Sequence, residues 1–217
     1  MRPRCAAPAR RRAALAAALL ALGLIACEPR IEEPQPPARG AAEGRPEPAA
    51  SQAAPAPRDP SGRCIRPTPA TPARKLASPG PDPACPKDPT GAPSLRNGKV
   101  IFLEAKAPDV LVEVVERDQD RARGLMYRKS MPESQGMLFV FPERVNHTFW
   151  MHNTCIPLDM IFIDSDGTIV GIEENTPTMN DSTFECGCPS TYVLEVNAGW
   201  TRRHGVAAGQ KVKLEGI

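Results

Sequence analysis

Apolar residues in the C-terminal part of the chain come in short runs rich in Val, Ile, Leu and Phe, and turn residues such as Gly, Pro and Asp separate these runs. This pattern is typical of short β-strands. The predicted strands are residues 100–103, 110–115, 136–141, 148–152, 158–163, 168–172, 192–196 and 211–214. Many short strands with little helix between them favour a sheet that curls into a small barrel.

Two short helices are expected between these strands. Asp118 is a typical N-cap residue, and Gly124 would end the first helix after little more than one turn. The second helix follows residues 197–199 and ends near Gly205. The predicted fold class is therefore mainly β (α+β), a small barrel-like domain of short strands with two short helices.

The segment Asp-Ser-Asp-Gly at residues 164–167 predicts the turn of a β-hairpin. It also begins like a calcium-binding EF-hand loop, which requires glycine at its sixth position and a bidentate acid at its twelfth. Those two positions hold Ile169 and Asn175. The hairpin is therefore the interpretation that the residues favour.

Several motifs follow one another in this part of the chain. They are Arg-Gly-Leu-Met-Tyr-Arg from residue 123, Gly-Met-Leu-Phe-Val-Phe-Pro from 136, Phe-Trp-Met-His-Asn-Thr from 149, Pro-Leu-Asp-Met-Ile-Phe-Ile-Asp from 157, and Tyr-Val-Leu-Glu-Val-Asn-Ala-Gly-Trp from 192. In this order they resemble the DUF192 (UPF0127) family over about residues 98–215. The resemblance implies a compact β-rich domain, often exported or lipid-anchored. It implies no settled activity and supplies no catalytic residues.

Composition separates this domain from the rest of the chain. Of the 26 prolines, 18 lie between Pro29 and Pro93, whereas all ten aromatic residues lie from Phe102 onward. A segment rich in Pro and Ala without aromatic residues cannot bury enough apolar surface to offset its ordering entropy. We therefore place the globular domain at residues 94–217 and expect residues 27–93 to form a disordered Pro/Ala-rich tether. A docking ligand for a partner is the alternative reading of such a segment.

The first 26 residues have the order of a bacterial signal peptide, with a basic start and an apolar run at 13–26 that is too short to span a membrane. The run ends in Leu-Ile-Ala-Cys at residues 24–27, which resembles a lipobox. That resemblance implies cleavage before Cys27 and lipidation of Cys27, and two or more acyl chains anchor stably. An ordinary secretory signal with a chance cysteine is the alternative. Glu28 favours outer-membrane sorting over inner-membrane retention.

The net charge of +2 depends on five arginines in residues 1–26, a segment that has no acidic residue. A nucleic-acid footprint requires clustered surplus Lys and Arg, which the remaining chain lacks. We therefore expect no nucleic-acid partner. The expected partners are the membrane, through the lipid anchor, and an envelope protein or small-molecule ligand.

Residues 147–164 concentrate aromatic, histidine, cysteine and acidic side chains in one apolar run. Asp159 interrupts this run, and an acid there must be either paired or exposed. Its expected partners are Arg123 and Arg128, and a structural ion pair is the alternative to a ligand-binding role. We therefore predict a ligand-binding groove rimmed by four residues, namely Arg123, Trp150, Asn153 and Asp159.

Cys155, Cys186 and Cys188 could form a disulfide, remain free, or bind a metal together with His147 and His152. In an oxidising compartment a disulfide between Cys155 and either Cys186 or Cys188 is the favoured reading. The Cys-Gly-Cys spacing differs from the usual zinc pattern, and the histidines, five residues apart, would face opposite sides of a plain strand. We predict no metal and no cofactor.

Two further cysteines lie in the expected tether, and Cys64 with Cys85 could close a small loop. No nucleophile motif and no phosphate-binding glycine loop is present. The expected protein is a lipid-anchored envelope protein facing the periplasm, with a non-catalytic binding or accessory module of unknown activity. The alternatives are a small envelope hydrolase and a metal-handling protein that uses the cysteines and histidines.

Overall fold

The structure is a computed structural model that describes residues 58–78 and 80–217. It is mostly β, with two short helices. The elements of the described part are β1 (Arg96–Phe102), β2 (Val110–Val115), α1 (Asp118–Arg123), β3 (Gln135–Val145), β4 (Phe149–Met151), β5 (Leu158–Ile163), β6 (Ile169–Thr176), β7 (Asn180–Phe184), β8 (Ser190–Asn197), α2 (Trp200–Arg203) and β9 (Val212–Glu215).

Seven strands form one sheet in the order β6-β5-β8-β3-β2-β1-β9, and β4 pairs with β7 in a separate ribbon. Only the β2–β3 pair of the large sheet is parallel. The sheet curls so that its two outer strands approach, with a bridge between Thr168 and Lys211 and a 2.8 Å hydrogen bond from the Ile169 amide to the Gln210 carbonyl. The predicted barrel-like β fold is therefore confirmed as a curled half-barrel.

The central strands are buried on both faces, which explains their nearly continuous apolar sequence. All six residues of β5 are buried. One face of the sheet packs in a cluster around Ile161, Leu194 and Trp200, and the other packs in a cluster around Phe139 and Phe162. Alternation along each strand assigns neighbouring residues to opposite clusters.

The structure departs from the sequence prediction in several elements. Strand β1 begins at Arg96 and strand β3 ends at Val145, each beyond its predicted bound. Strand β7 was not predicted, because Asn-Asp-Ser-Thr-Phe at residues 180–184 is largely polar and exposed. Strand β6 extends to Thr176, past an acidic stretch that reads as a loop. Helix α1 begins after Arg117, which has the N-cap position without a side-chain cap hydrogen bond, so Asp118 is not the cap. The hairpin turn at 164–167 is present, with a 2.9 Å bond from the Gly167 amide to the Asp164 carbonyl.

Residues 58–78 and 80–93, called the strap from this point, contain few regular elements but belong to the same compact unit as the sheet. Two disulfides fasten the strap, Cys64–Cys188 and Cys85–Cys155. The expected Cys64–Cys85 loop and the expected pairing of Cys155 with Cys186 or Cys188 are therefore wrong. The strap is therefore fastened to the domain and is not part of a free tether. Covalent bonds between distant parts of the chain replace the apolar core that the strap lacks.

Hydrogen bonds and ion pairs also hold the strap. The Arg66 amide donates to the Val170 carbonyl on β6 at 2.8 Å, and Arg66 and Arg74 both pair with Glu173. The strap therefore supplies cations to a carboxylate that β6 buries. The predicted signal peptide, the predicted lipidation site Cys27 and the start of the predicted tether lie outside the described residues. Within the described part, no helix has the length and apolarity needed to cross a membrane.

The two disulfides can be checked directly by non-reducing peptide mapping, which should recover a peptide pair joining Cys64 to Cys188 and another joining Cys85 to Cys155. Their loops span 124 and 70 residues, so loss of either should lower the free energy of unfolding by about 2–5 kcal/mol. We expect the double variant Cys85→Ser/Cys155→Ser to show this loss in denaturant unfolding. Cys186→Ala, which breaks no disulfide, is the control. A peptide joining Cys64 to Cys85 would contradict the structure.

Candidate functional site

Asp159 is fully buried and does not contact an arginine. Its carboxylate accepts hydrogen bonds from the Asn175 amide at 2.8 Å, the Gly199 amide at 3.1 Å, and the Thr201 amide and hydroxyl at 3.0 and 2.6 Å. Burial raises the pKa of Asp159, and these donors oppose that shift. The predicted ligand contact is therefore wrong: Asp159 joins β5 to β6 and to the start of α2 as a structural residue.

The two arginines expected beside Asp159 have other partners. Arg123 donates to Asp88 of the strap at 2.6 Å and to Thr90 at 2.7 Å. Arg128 pairs with Glu113 on β2. The acidic partner of Arg123 is therefore Asp88 of the strap and not Asp159 of β5. This pairing arises because residues 80–93 fold against α1.

The other three predicted binding residues lie in one region. The Arg123 guanidinium lies over the Tyr127 ring, 5.2 Å from its centre. Asn153 donates to the Tyr127 hydroxyl at 3.1 Å, and its carbonyl accepts the Tyr127 amide at 2.9 Å. Trp150 is 49% exposed and lines the same small cleft as Arg123. The structure therefore brings together Arg123, Trp150 and Asn153 and leaves Asp159 elsewhere.

The floor of this cleft holds a residue that the sequence argument passed over. Glu195 on β8 is 4% exposed and pairs in register with Met137 of β3 and Met160 of β5. Its side chain lies on the face of the Phe139 cluster, two positions from Val193. Among the described residues, no donor or cation compensates it, and burial raises the pKa of Glu195 to about 8.

A signal for Glu195 was present in the sequence. It interrupts Tyr-Val-Leu-Glu-Val in the same way that Asp159 interrupts its own strand, and the same argument about buried acids applies. What the sequence could not reveal is which of the two acids the fold would supply with donors, because those donors come from Asn175, Gly199 and Thr201 in other elements.

The candidate cleft, called the Glu195 cleft from this point, has a volume of about 20 Å³. Glu195 lies at its floor, and Arg121 and Arg123 of α1, whose side chains are mostly buried, also line it. The remaining wall is mostly apolar, with Leu125, Phe139, Phe149, Trp150 and Thr154 among its side chains.

The histidines lie on either side of β4 and outside it, so strand alternation does not set their separation, and each has a local partner. His147 stacks on Phe141 at 3.7 Å, and its Nε2 lies 3.1 Å from the Ser190 carbonyl oxygen. Burial lowers the pKa of His147. His152 Nδ1 lies 2.7 Å from Asp181 Oδ1; the His152 side chain is half-exposed and that of Asp181 is exposed. His152 is not part of the Glu195 cleft.

Cys186 is buried and outside the two disulfides. Burial raises the pKa of its thiol to about 11, so the thiolate is disfavoured. Cys155 and Cys188 are consumed by their disulfides with the strap. Across residues 58–78 and 80–217, no group of three or more His, Cys, Asp or Glu side chains is arranged to hold a metal ion.

The fold and the site define a small β-domain protein. Its sheet is a curled half-barrel with a small cleft, and the described residues contain no recognised catalytic set. Residues 101–214 match the DUF192 family, described as an uncharacterized ACR. The chain belongs to this family. A search among curated proteins found no match.

Two solved structures are similar to this chain. A candidate transcription regulator from Sinorhizobium meliloti 1021 is 40% identical, with a TM-score of 0.54 over 57% of this chain and 97% of that one. A protein of unknown function from Novosphingobium aromaticivorans DSM 12444 is 27% identical, with a TM-score of 0.51 over 63% of this chain and 94% of that one. Both similarities support the β fold of the domain.

Glu195→Gln should change the pH dependence of stability. Because the folded-state pKa of about 8 exceeds the ordinary value of 4.5, the folded protein keeps a proton that the unfolded chain releases. Stability from this group is present below pH 4.5 and is lost as the pH rises toward 8. The wild type should lose about 3 kcal/mol more than the variant between pH 4 and pH 7 in urea unfolding. Parallel curves for the two proteins would contradict an unpaired Glu195.

Proposed function

We propose that this protein is a lipid-anchored protein of the bacterial cell envelope whose DUF192 domain is a non-catalytic binding module. The domain faces the periplasm, and Cys27 carries the lipid, with the outer membrane as the expected location. Residues 28–57 connect the anchor to the strap. Two disulfides support an oxidising compartment, because such bonds persist outside the cytosol.

The observation that carries the binding role is the meeting of Arg123 and a half-exposed Trp150 at one cleft. Large aromatic residues and arginine are enriched where protein surfaces make their strongest contacts. Trp150 also stacks on His152, with the ring centres 5.0 Å apart. This stack positions the indole and lowers the entropy that binding would cost.

A binding role also fits the chemistry near the cleft better than catalysis does. A hydrolase needs a nucleophile or an activated water beside its base. The His152–Asp181 pair is exposed and contacts no hydroxyl nucleophile among the described residues. A metal-handling role would need the cysteines, two of which are occupied in disulfides.

The anchor can be tested by mass spectrometry of the mature protein from membranes. We expect an N-terminal Cys27 carrying a thioether lipid and an acylated amino group. Cys27→Ala should move the protein from the membrane fraction to the soluble periplasmic fraction. An unmodified Cys27, or a membrane association that Cys27→Ala leaves intact, would contradict the proposal.

The binding surface can be tested by crosslinking in intact envelopes followed by identification of captured components. Trp150→Ala should reduce capture of a specific component by about tenfold or more, as expected for an aromatic anchor worth roughly 1–2 kcal/mol. The matched control is Leu111→Ala, since Leu111 is also a large exposed apolar residue but does not line the cleft. Equal capture by both variants and the wild type would rule out this surface.

A further inference from the structure

The Glu195 carboxyl is buried at the floor of a cleft and has no partner in the described chain. The charged side chains that line the cleft with it are Arg121 and Arg123, both on α1. Arg123 is paired with Asp88 at 2.6 Å, and Arg121 with Asp118. None of the elements packed around Glu195 therefore supplies a cation to it, although two arginines of α1 line the same cleft.

A carboxylate in an apolar setting is costly unless a cation or several donors compensate it. Asp159 shows how this fold compensates a buried acid, with four donated hydrogen bonds from its own chain. Glu195 has none of these in the described residues, and it lies at the floor of a cleft instead. In the free protein a proton on Glu195 meets this cost, and a cation that binds in the cleft would replace that proton.

We propose that the Glu195 cleft binds the primary ammonium group of an organic amine, with the ammonium against the Glu195 carboxylate and the aromatic walls. The inference rests on the proposed function, because it assigns a ligand class to the cleft of that binding module.

Three features of the cleft favour a primary ammonium. A volume of about 20 Å³ suits a group about the size of one water molecule, which favours a primary ammonium over a bulkier trimethylated one. Phe139, Phe149 and Trp150 offer aromatic surface, which attracts organic cations. Thr154 donates its hydroxyl to the His152 carbonyl at 3.3 Å, so its oxygen can still accept a hydrogen bond. A primary ammonium has the three donors to satisfy such acceptors.

A metal ion fits this cleft less well. Calcium and magnesium require six or more oxygen ligands, and the cleft offers one carboxyl and one hydroxyl. An ammonium needs one strong acceptor and tolerates apolar walls. The alkyl chain that carries it would lie along Trp150 toward the solvent.

Binding should be coupled to proton release. In the free protein Glu195 holds its proton up to about pH 8, whereas an alkylammonium keeps its charge to about pH 10.4. When the ammonium binds, Glu195 releases its proton to the solvent, and the ammonium keeps its own charge and compensates the carboxylate that forms. Affinity should rise about tenfold from pH 6 to pH 7 and about fivefold from pH 7 to pH 8.

The test is calorimetric titration of the full chain with n-butylammonium chloride at pH 6, 7 and 8, in two buffers of different ionisation enthalpy to measure the released proton. n-Butanol and n-butyltrimethylammonium are the ligand controls. Nα-acetyl-lysine N-methylamide in a further arm separates a free amine from a lysine side chain as the source of the ammonium.

We expect saturable binding of n-butylammonium, no binding of either control, and release of close to one proton at pH 7. Glu195→Gln should weaken binding by about 10- to 100-fold, the loss typical of a charge-assisted hydrogen bond. Trp150→Leu, at the half-exposed rim, should weaken it about 3- to 10-fold, and Leu111→Ala should leave it unchanged. Tighter binding of the lysine derivative would identify a lysine side chain as the ligand.

Equal affinity of the wild type and a folded Glu195→Gln variant would overturn the inference, as would equal binding of n-butanol. Absence of any amine binding would also overturn it. In that case, capture in envelopes that still depends on Trp150 would leave the binding module intact, so the two failures can be told apart.

Discussion

The structure depends on how a β-sheet that is buried on both faces accommodates carboxylates. Asp159 and Glu195 lie one register step apart on β5 and β8, and strand alternation directs them to opposite faces. Asp159 receives four hydrogen bonds that join β5 to β6 and to the start of α2. Glu195 receives none from the described residues. Asp159 therefore stabilises the fold, while Glu195 lies uncompensated at the floor of a cleft.

Buried acids on the outer strand β6 are also compensated by groups from other parts of the chain, including the strap. Glu173 and Glu174 on β6 are buried acids, and they are compensated by arginines that β6 itself does not carry. Arg66 and Arg74 of the strap pair with Glu173, while Arg202 of α2 pairs with Glu174 at 2.7 Å. The two disulfides keep the strap arginines in place, since a Pro-rich segment lacks an apolar core of its own. The strap is therefore a component of the folded domain.

Much of the fold could be predicted from local pattern, because strand alternation and turn residues are short-range signals. The β5–β6 hairpin, the end of α1 at Gly124 and the barrel-like class all came from such signals. Apart from the missed strand β7, the Asp118 cap and several strand bounds, the errors concern long-range partners. The pairing of Cys85 with Cys155 spans 70 residues, and the donors to Asp159 lie on elements far along the chain. The Glu195 cleft was missed for the same reason, since only the folded sheet shows which buried acid lacks donors.

The claim that Glu195 is a buried, uncompensated carboxyl that takes up a cation is tested most directly by its own titration. Carboxyl ¹³C NMR of the wild type, with Glu195 assigned through the Glu195→Gln spectrum, would follow that group alone. We predict a midpoint near 8 in the free protein and a much lower one in saturating n-butylammonium. A midpoint near the ordinary value of about 4.3, unchanged by the amine, would contradict the account.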